Sequence, residues 1–212
     1  MNSTLTVGGL KISVDEATDL ARPYLSGDGS VWAYPAYDAY PGHPGPEVGR
    51  ADLLAVALLN AQQRPLESYY GLESLLPLIN GRLADLALQG TLAKAEPATL
   101  KAIARLYGIL DEQKPKYVGL TKLSKVLHRK RPELLPLYDK NIWKCYAAGD
   151  RIPRSSNRSW YEYSKKLLEA MQSDLNDGLD AWHEIANLAA GPKVSPLRAL
   201  DIVGWNLGRQ IK

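Results

Sequence analysis

The side chains with the most chemical potential lie between residues 113 and 143. The stretch 113–132 (QKPKYVGLTKLSKVLHRKRP) carries seven lysines and arginines and no acidic residue. Lys122, Lys125 and Arg129 recur at spacings of three and four, which puts them on one face of a helix. Leu120, Leu123, Val126 and Leu127 supply the opposite, core-facing stripe. Val118-Gly119-Leu120 precedes that helix and reads as a tight apolar turn. Free backbone N–H groups at the helix start, Thr121 among them, suit a phosphate. Downstream, Leu135-Pro136-Leu137-Tyr138-Asp139-Lys140-Asn141-Ile142-Trp143 places an aspartate where a helix begins. Asp139 is therefore either an N-cap or a carboxylate presented to a ligand, and the two roles are compatible. Trp143 follows one turn later, and its simplest role is packing. His128 titrates in a useful range but is more simply a phosphate or surface contact.

Other constellations are weaker. Arg151, Arg154 and Arg158 could extend a phosphate-binding surface or merely solvate a loop. Asp38 and His43 lie in a segment rich in proline and aromatic residues. Asp201 and Trp205, one turn apart, read as helix packing.

These residues need a scaffold, and composition indicates which kind. Leucine occurs 34 times, valine and isoleucine nine times each, and phenylalanine never, a balance that favours helix over sheet. Ser13-Val-Asp-Glu16 is a capping box opening a helix toward Tyr24. Ala51 to Gln62 carries Leu53, Leu54, Ala57 and Leu58 at helical spacing and ends at Pro65. Pro97 opens a helix to Leu110 with Leu100, Ile103, Ala104 and Tyr107 on one stripe. Ser155 to Leu175 continues the pattern around Tyr163, Leu167 and Met171. Ser195-Pro196 starts a last helix through Leu197, Leu200, Asp201, Gly204 and Trp205. Between these, residues 27–49 lack periodicity and hold Pro35, Pro41, Pro44 and Pro46 among tyrosines. They predict an ordered loop packed by its aromatics. The expected fold class is all-α.

The net charge of +3 conceals an asymmetry. Residues 1–100 hold 6 basic and 11 acidic side chains, and residues 101–212 hold 20 and 12. A basic half implies a polyanionic partner or a solvated face. Cys145 is the only cysteine, which excludes an intramolecular disulfide and leaves no multi-cysteine metal site. No cofactor or metal is expected. MNSTLTVGGLKISVDE has no signal-peptide pattern, and the apolar run Leu53–Leu59 is too short for a membrane span. A cytoplasmic monomer is the expectation. At this length folding removes roughly 70% of the chain's surface from water, so no staple is needed.

In the order of these motifs, residues 97–147 resemble the helix-hairpin-helix DNA glycosylase superfamily, most nearly its 8-oxoguanine DNA glycosylase branch. The matching positions are Val118-Gly119-Leu120, Lys122, Pro136, Asp139 and Trp143. The resemblance implies two helical lobes with a cleft between them. Residues 1–96 would supply N-terminal helices with the loop 27–49, 97–150 the hairpin lobe, and 151–212 helices packing back on the first lobe, all in one domain.

It also implies roles. Asp139 would support departure of a modified, possibly oxidised, base by stabilising positive charge at the anomeric carbon. Lys122 would attack that carbon as a free amine, forming a Schiff base that permits strand cleavage. Lys125, Arg129 and Lys130 would lower its pKa by like-charge repulsion. Val118, Gly119, Leu120, Thr121, Lys125, His128, Arg129 and Lys130 would bind double-stranded DNA. Tyr138 and Trp143 would wall the pocket for a flipped base. Thr121 stands where the superfamily usually has a second hairpin glycine. A strict alignment on Gly119 puts Leu123 rather than Lys122 at the lysine position, and a one-residue shortening restores Lys122. Three functions follow: a glycosylase with or without lyase activity, a non-catalytic DNA-binding module on the same scaffold, or an N-glycosidic enzyme acting on a nucleoside or small molecule.

Overall fold

The computed structural model describes residues 4–27, 32–61, 63–148, 151–152 and 157–211. It is predominantly helical, with one small addition. Thr4–Val7 (β1) and Leu10–Ser13 (β2) pair antiparallel, Leu5 opposite Ile12 and Val7 opposite Leu10. Gly8 and Gly9, both at positive φ, form the two-residue connection. Only a primed turn matches the strands' twist, and glycine reaches it without strain. The chain is helical as expected, and the hairpin is a minor addition that the sequence reading does not include. Its alternation, Leu5 and Val7 inward, is too brief to register as periodicity, yet it buries both side chains.

Helix α1 (Val14–Leu25) follows at once, with Ser13 and Glu16 forming the expected capping box. The predicted helix over 51–62 is instead a tight 3-10 turn, Arg50–Leu54, running into the short α2 (Ala55–Leu58). Leu54 and Ala57 face outward there. Asp52 causes the difference: its carboxylate accepts from the N–H groups of His43 and Gly49, which draws the chain into a tight turn. Asn60, at φ 55°, prevents its continuation.

Next come α3 (Pro65–Ser74), α4 (Leu76–Leu83) and α5 (Pro97–Tyr107). Leu100, Ile103, Ala104 and Tyr107 are all buried on α5, as its spacing requires. Helix α6 (Ile109–Glu112) is one turn, α7 spans Leu120–His128, and α8 spans Lys140–Ala148. Helix α9 (Trp160–Asn176) begins with a second capping box, Ser159 with Glu162. Helix α10 (Leu179–Ala186) leads to α11 (Pro196–Gln210), which Ser195 caps. The expected start at Ser155, like Arg154, lies outside the described residues.

One apolar core connects Leu5 to Val203. Within it α11 packs on α8, α10 and α1, while α5 packs on α9. The α8–α11 contact is close, because a Cβ on Gly208 would stand 1.9 Å from the Asn141 carbonyl oxygen. Among the described residues no helix is long and apolar enough to cross a membrane.

Candidate functional site

Helix α7 is where the structure differs most from the sequence expectation. Its two faces are both inside. Lys122 (8% exposed), Lys125 (6%) and His128 (1%) are buried along with the leucines. The side chains of Arg129 and Lys130 also turn inward. Arg129 donates to the carbonyls of Asp38 and Tyr40. Lys130 donates to those of His43 and Gly45 and pairs with the buried Asp52 at 2.8 Å. The reason lies in the aromatic loop. Its prolines have no N–H and its backbone joins no regular ladder, so its part-buried carbonyls take donors from basic side chains.

The expected solvated, phosphate-facing stripe of Lys125, His128, Arg129 and Lys130 is therefore an internal fastening. Tyr37 completes it, donating its hydroxyl to the Lys125 carbonyl (2.6 Å) and stacking on His128. Of the expected DNA contacts, Val118 and Leu120 are core residues. Gly119 and Thr121 do reach a cleft. Gly119 caps α7 with extended backbone (φ −123°), so no left-handed turn explains the glycine. A Cβ added there would meet nothing within 4 Å.

That cleft holds about 940 Å³ and lies among α7, the start of α8, α11 and the segments around Trp32 and Asn60. Its size is in the range of small-molecule sites, roughly 300–1,000 Å³. Tyr24, Trp32, Tyr117, Tyr138 and Trp205 give it aromatic walls, and Lys122, Lys125, Asp139, Arg198 and Asp201 give it charge. Two expected residues, Asp139 and Lys122, are thus brought to one cavity. Trp143 is not among its walls and packs against the core instead. Tyr138 is a wall, in edge contact with Trp160 and Tyr163.

Asp139 is well positioned. Its Oδ1 accepts from the N–H groups of Asn141 (2.8 Å) and Ile142 (3.0 Å), the expected N-cap of α8. The segment leading to it is held residue by residue. The His128 ring bonds the Leu135 carbonyl at 2.7 Å, Tyr107 donates to the Pro136 carbonyl at 2.6 Å, and Ser124 accepts from the Tyr138 N–H at 3.0 Å. His128 is a positioning residue rather than a surface contact. Burial pushes its pKa down to about 4, so it is neutral at pH 7.

Lys122 stands beside Gly119 but is occupied. Its ammonium donates to the Gln63 and Tyr117 carbonyls and to the Ser68 hydroxyl. Burial lowers its pKa, with Glu67 opposing. Loss of hydration, and not the like-charge repulsion expected from Lys125, Arg129 and Lys130, is the cause. Lys125 is lowered for the same reason, against the pull of Asp139 and Asp201.

Arg198 and Asp201 were missed as site residues. Arg198 is buried. It grips Asp38 with two nitrogens (3.0 and 3.3 Å), bonds Tyr24 Oη at 2.6 Å and reaches Asp201 with its third nitrogen. Asp201 is buried at the cleft wall, and its carboxyl rises to about 6. Burial is the main cause, with Asp139 adding to it and Arg198 opposing. The i,i+3 spacing of Arg198 and Asp201 was the available signal.

The second constellation, Asp38 and His43, is divided: Asp38 serves Arg198, and His43 lies 3.4 Å from Glu47. Arg151 lies 3.8 Å from Asp174. Cations remain at the cleft mouth. Lys140 and Arg209 are exposed there, with Arg209 4.8 Å from the Trp205 ring centre. Tyr117, at φ 65° and 40% exposed, has Lys116 and Arg64 at 5.2 and 5.6 Å from its ring centre. Among the described residues, no cluster of three or more His, Cys, Asp or Glu could hold a metal.

No curated protein and no solved structure matches the chain. A family model, however, matches residues 17–208, nearly the whole chain and every residue lining the cleft except Arg209. The chain belongs to DUF6308, a family of unknown function.

Proposed function

We propose that the protein cleaves an N-glycosidic bond, holding the base in the aromatic cleft while Asp139 stabilises the departing sugar, in the manner of the helix-hairpin-helix DNA glycosylases it resembles. One observation carries the reading. A carboxylate fixed through one oxygen at a helix start opens into a cleft walled by Trp32, Tyr117, Tyr138 and Trp205. Flat walls suit a heterocycle by stacking. A pre-oriented negative charge stabilises an oxocarbenium-like transition state more than the ground state, because the positive charge develops only as the bond breaks. Lys122, with its three donors engaged, supports base release without strand cleavage. Borohydride trapping lost in Lys122→Gln would restore the Schiff-base role.

The primary substrate class is a modified base flipped out of double-stranded DNA, with phosphates meeting Lys140 and Arg209 at the cleft mouth and Lys116 beside Tyr117. A second reading, a free nucleoside or related small molecule, is favoured by the inward turn of Lys125, Arg129 and Lys130. One panel tests both: duplexes carrying different modified bases, and the corresponding nucleosides, scored for released base. Release from duplex with steeply salt-dependent binding supports the first reading. Release from nucleosides alone supports the second. Release from neither refutes the proposal.

A further inference from the structure

We propose that Asp201 is the proton donor to the leaving base, paired with Asp139 as the ionised carboxylate; the assignment rests on the N-glycosidic reading above. Both acids line one cleft, but their surroundings differ. Asp139 is half-buried, and its Oδ1 is held by two N–H groups at the start of α8. Asp201 is buried on α11 and shares the single guanidinium of Arg198 with Asp38. The sharing is unequal: Asp38 receives two nitrogens of the fork and Asp201 receives one. A bidentate pair is the stronger. Asp201, with the weaker hold on Arg198, is therefore the carboxyl free to take up and release a proton.

The charged groups facing Asp201 come from every element around it: Arg198 on its own helix, Asp139 from the start of α8, Lys125 from α7, and Asp38 and Tyr24 through Arg198. Burial of Asp201 is the largest influence, and with Asp139 it outweighs the pull of Arg198 and Lys125, bringing the carboxyl to about 6. Two carboxyls in one site with diverging environments is the arrangement that assigns an acid and a base.

The step balances. The bond from C1′ to the ring nitrogen breaks, and its electron pair stays on the base. Asp201 gives its proton to a nitrogen of the departing base. Water adds to C1′, and its proton passes to a carboxylate, restoring the starting charge. Water is the only co-reactant.

Two measurements on the whole protein test this. The first is a carbon-13 NMR titration of the aspartate carboxyls in the wild type and Asp139→Asn. Asp201 is expected to titrate near 6 and to move down when the Asp139 charge is removed. A midpoint in the ordinary carboxylate range overturns the assignment whether or not activity is found. The second compares Asp201→Asn on two substrates. A neutral leaving base needs the proton, so release should fall about 100-fold, whereas a guanosine methylated at N7, already cationic, should lose less than about 5-fold. Equal loss on both overturns the role.

Asn retains an acceptor for Arg198, and a melting curve checks the fold. Asp201→Glu, which restores the acid, should recover release from the neutral substrate; failure with an intact fold counts against the proposal. If the wild type releases no base from any substrate, the N-glycosidic reading fails and takes this role with it. Release with an unselective loss in Asp201→Asn overturns only the role of Asp201.

Discussion

Replacing Lys130 with methionine separates an internal fastening from a surface charge. The Lys130 side chain is 6% exposed and its partner Asp52 2%, at 2.8 Å. Removing one member of a buried pair typically costs about 3–5 kcal/mol, because the other charge is left without compensation. Asp52 keeps N–H donors from His43 and Gly49, which favours the lower end, about 3 kcal/mol. The His43 and Gly45 carbonyls also lose their donor. Lys116→Met is the control: the same charge change on an exposed residue of the same basic stretch should shift stability by no more than about 0.5 kcal/mol. Urea denaturation followed by circular dichroism reads both. A Lys130→Met protein as stable as the wild type would mean that the side chain is solvated, and the account of the basic stretch would fail.

His128 should produce a pH-dependent stability. Its folded pKa of about 4 lies below the unfolded value, so the unfolded chain binds the extra proton between the two. Stability is then lost as pH falls through this window, by about 3 kcal/mol at 1.36 kcal/mol per pKa unit. Asp201, raised in the fold, acts in the opposite sense below about pH 6, so comparison of variants isolates the histidine. The stability deficit of His128→Gln should shrink by about 3 kcal/mol between pH 7 and pH 4, and a constant deficit would refute the buried neutral imidazole. Gly208→Ala must push α8 from α11, since the added Cβ meets the Asn141 backbone. It should cost about 1–3 kcal/mol or more in a denaturant melt. It should also lower base release by moving Asp139, and a wild-type melt would contradict the packing.

Local signals in the sequence carried much of the fold. The capping box of Ser13 and Glu16, Ser195-Pro196 and the Asp139 N-cap each depend on a few neighbouring residues, and each helix begins where its signal stands. The Gly8-Gly9 hairpin was equally local, but four-residue strands offer too few alternations to outweigh a leucine-rich background. The basic stretch could not be resolved in the same way. Charge and spacing place Lys125 and Arg129 on one face but do not say what that face meets. That depends on loop carbonyls some ninety residues away, at Asp38 and Tyr40. Asp201 is hidden for the same reason: as a residue on a helix it is ordinary, and its burial at the cleft wall, with Asp139 adding to it and Arg198 shared with Asp38, is a product of the fold.

The most direct measurement is base release by Asp139→Asn, run beside substrate binding and a melting curve, on whichever substrate of the duplex and nucleoside panel the wild type cleaves. Asn retains an oxygen for the N–H groups of Asn141 and Ile142, so folding and binding should be nearly preserved. Release should fall at least about 100-fold, the scale lost with one transition-state charge contact. Undiminished release would contradict the central claim, and loss of release together with the fold would reduce Asp139 to a helix cap.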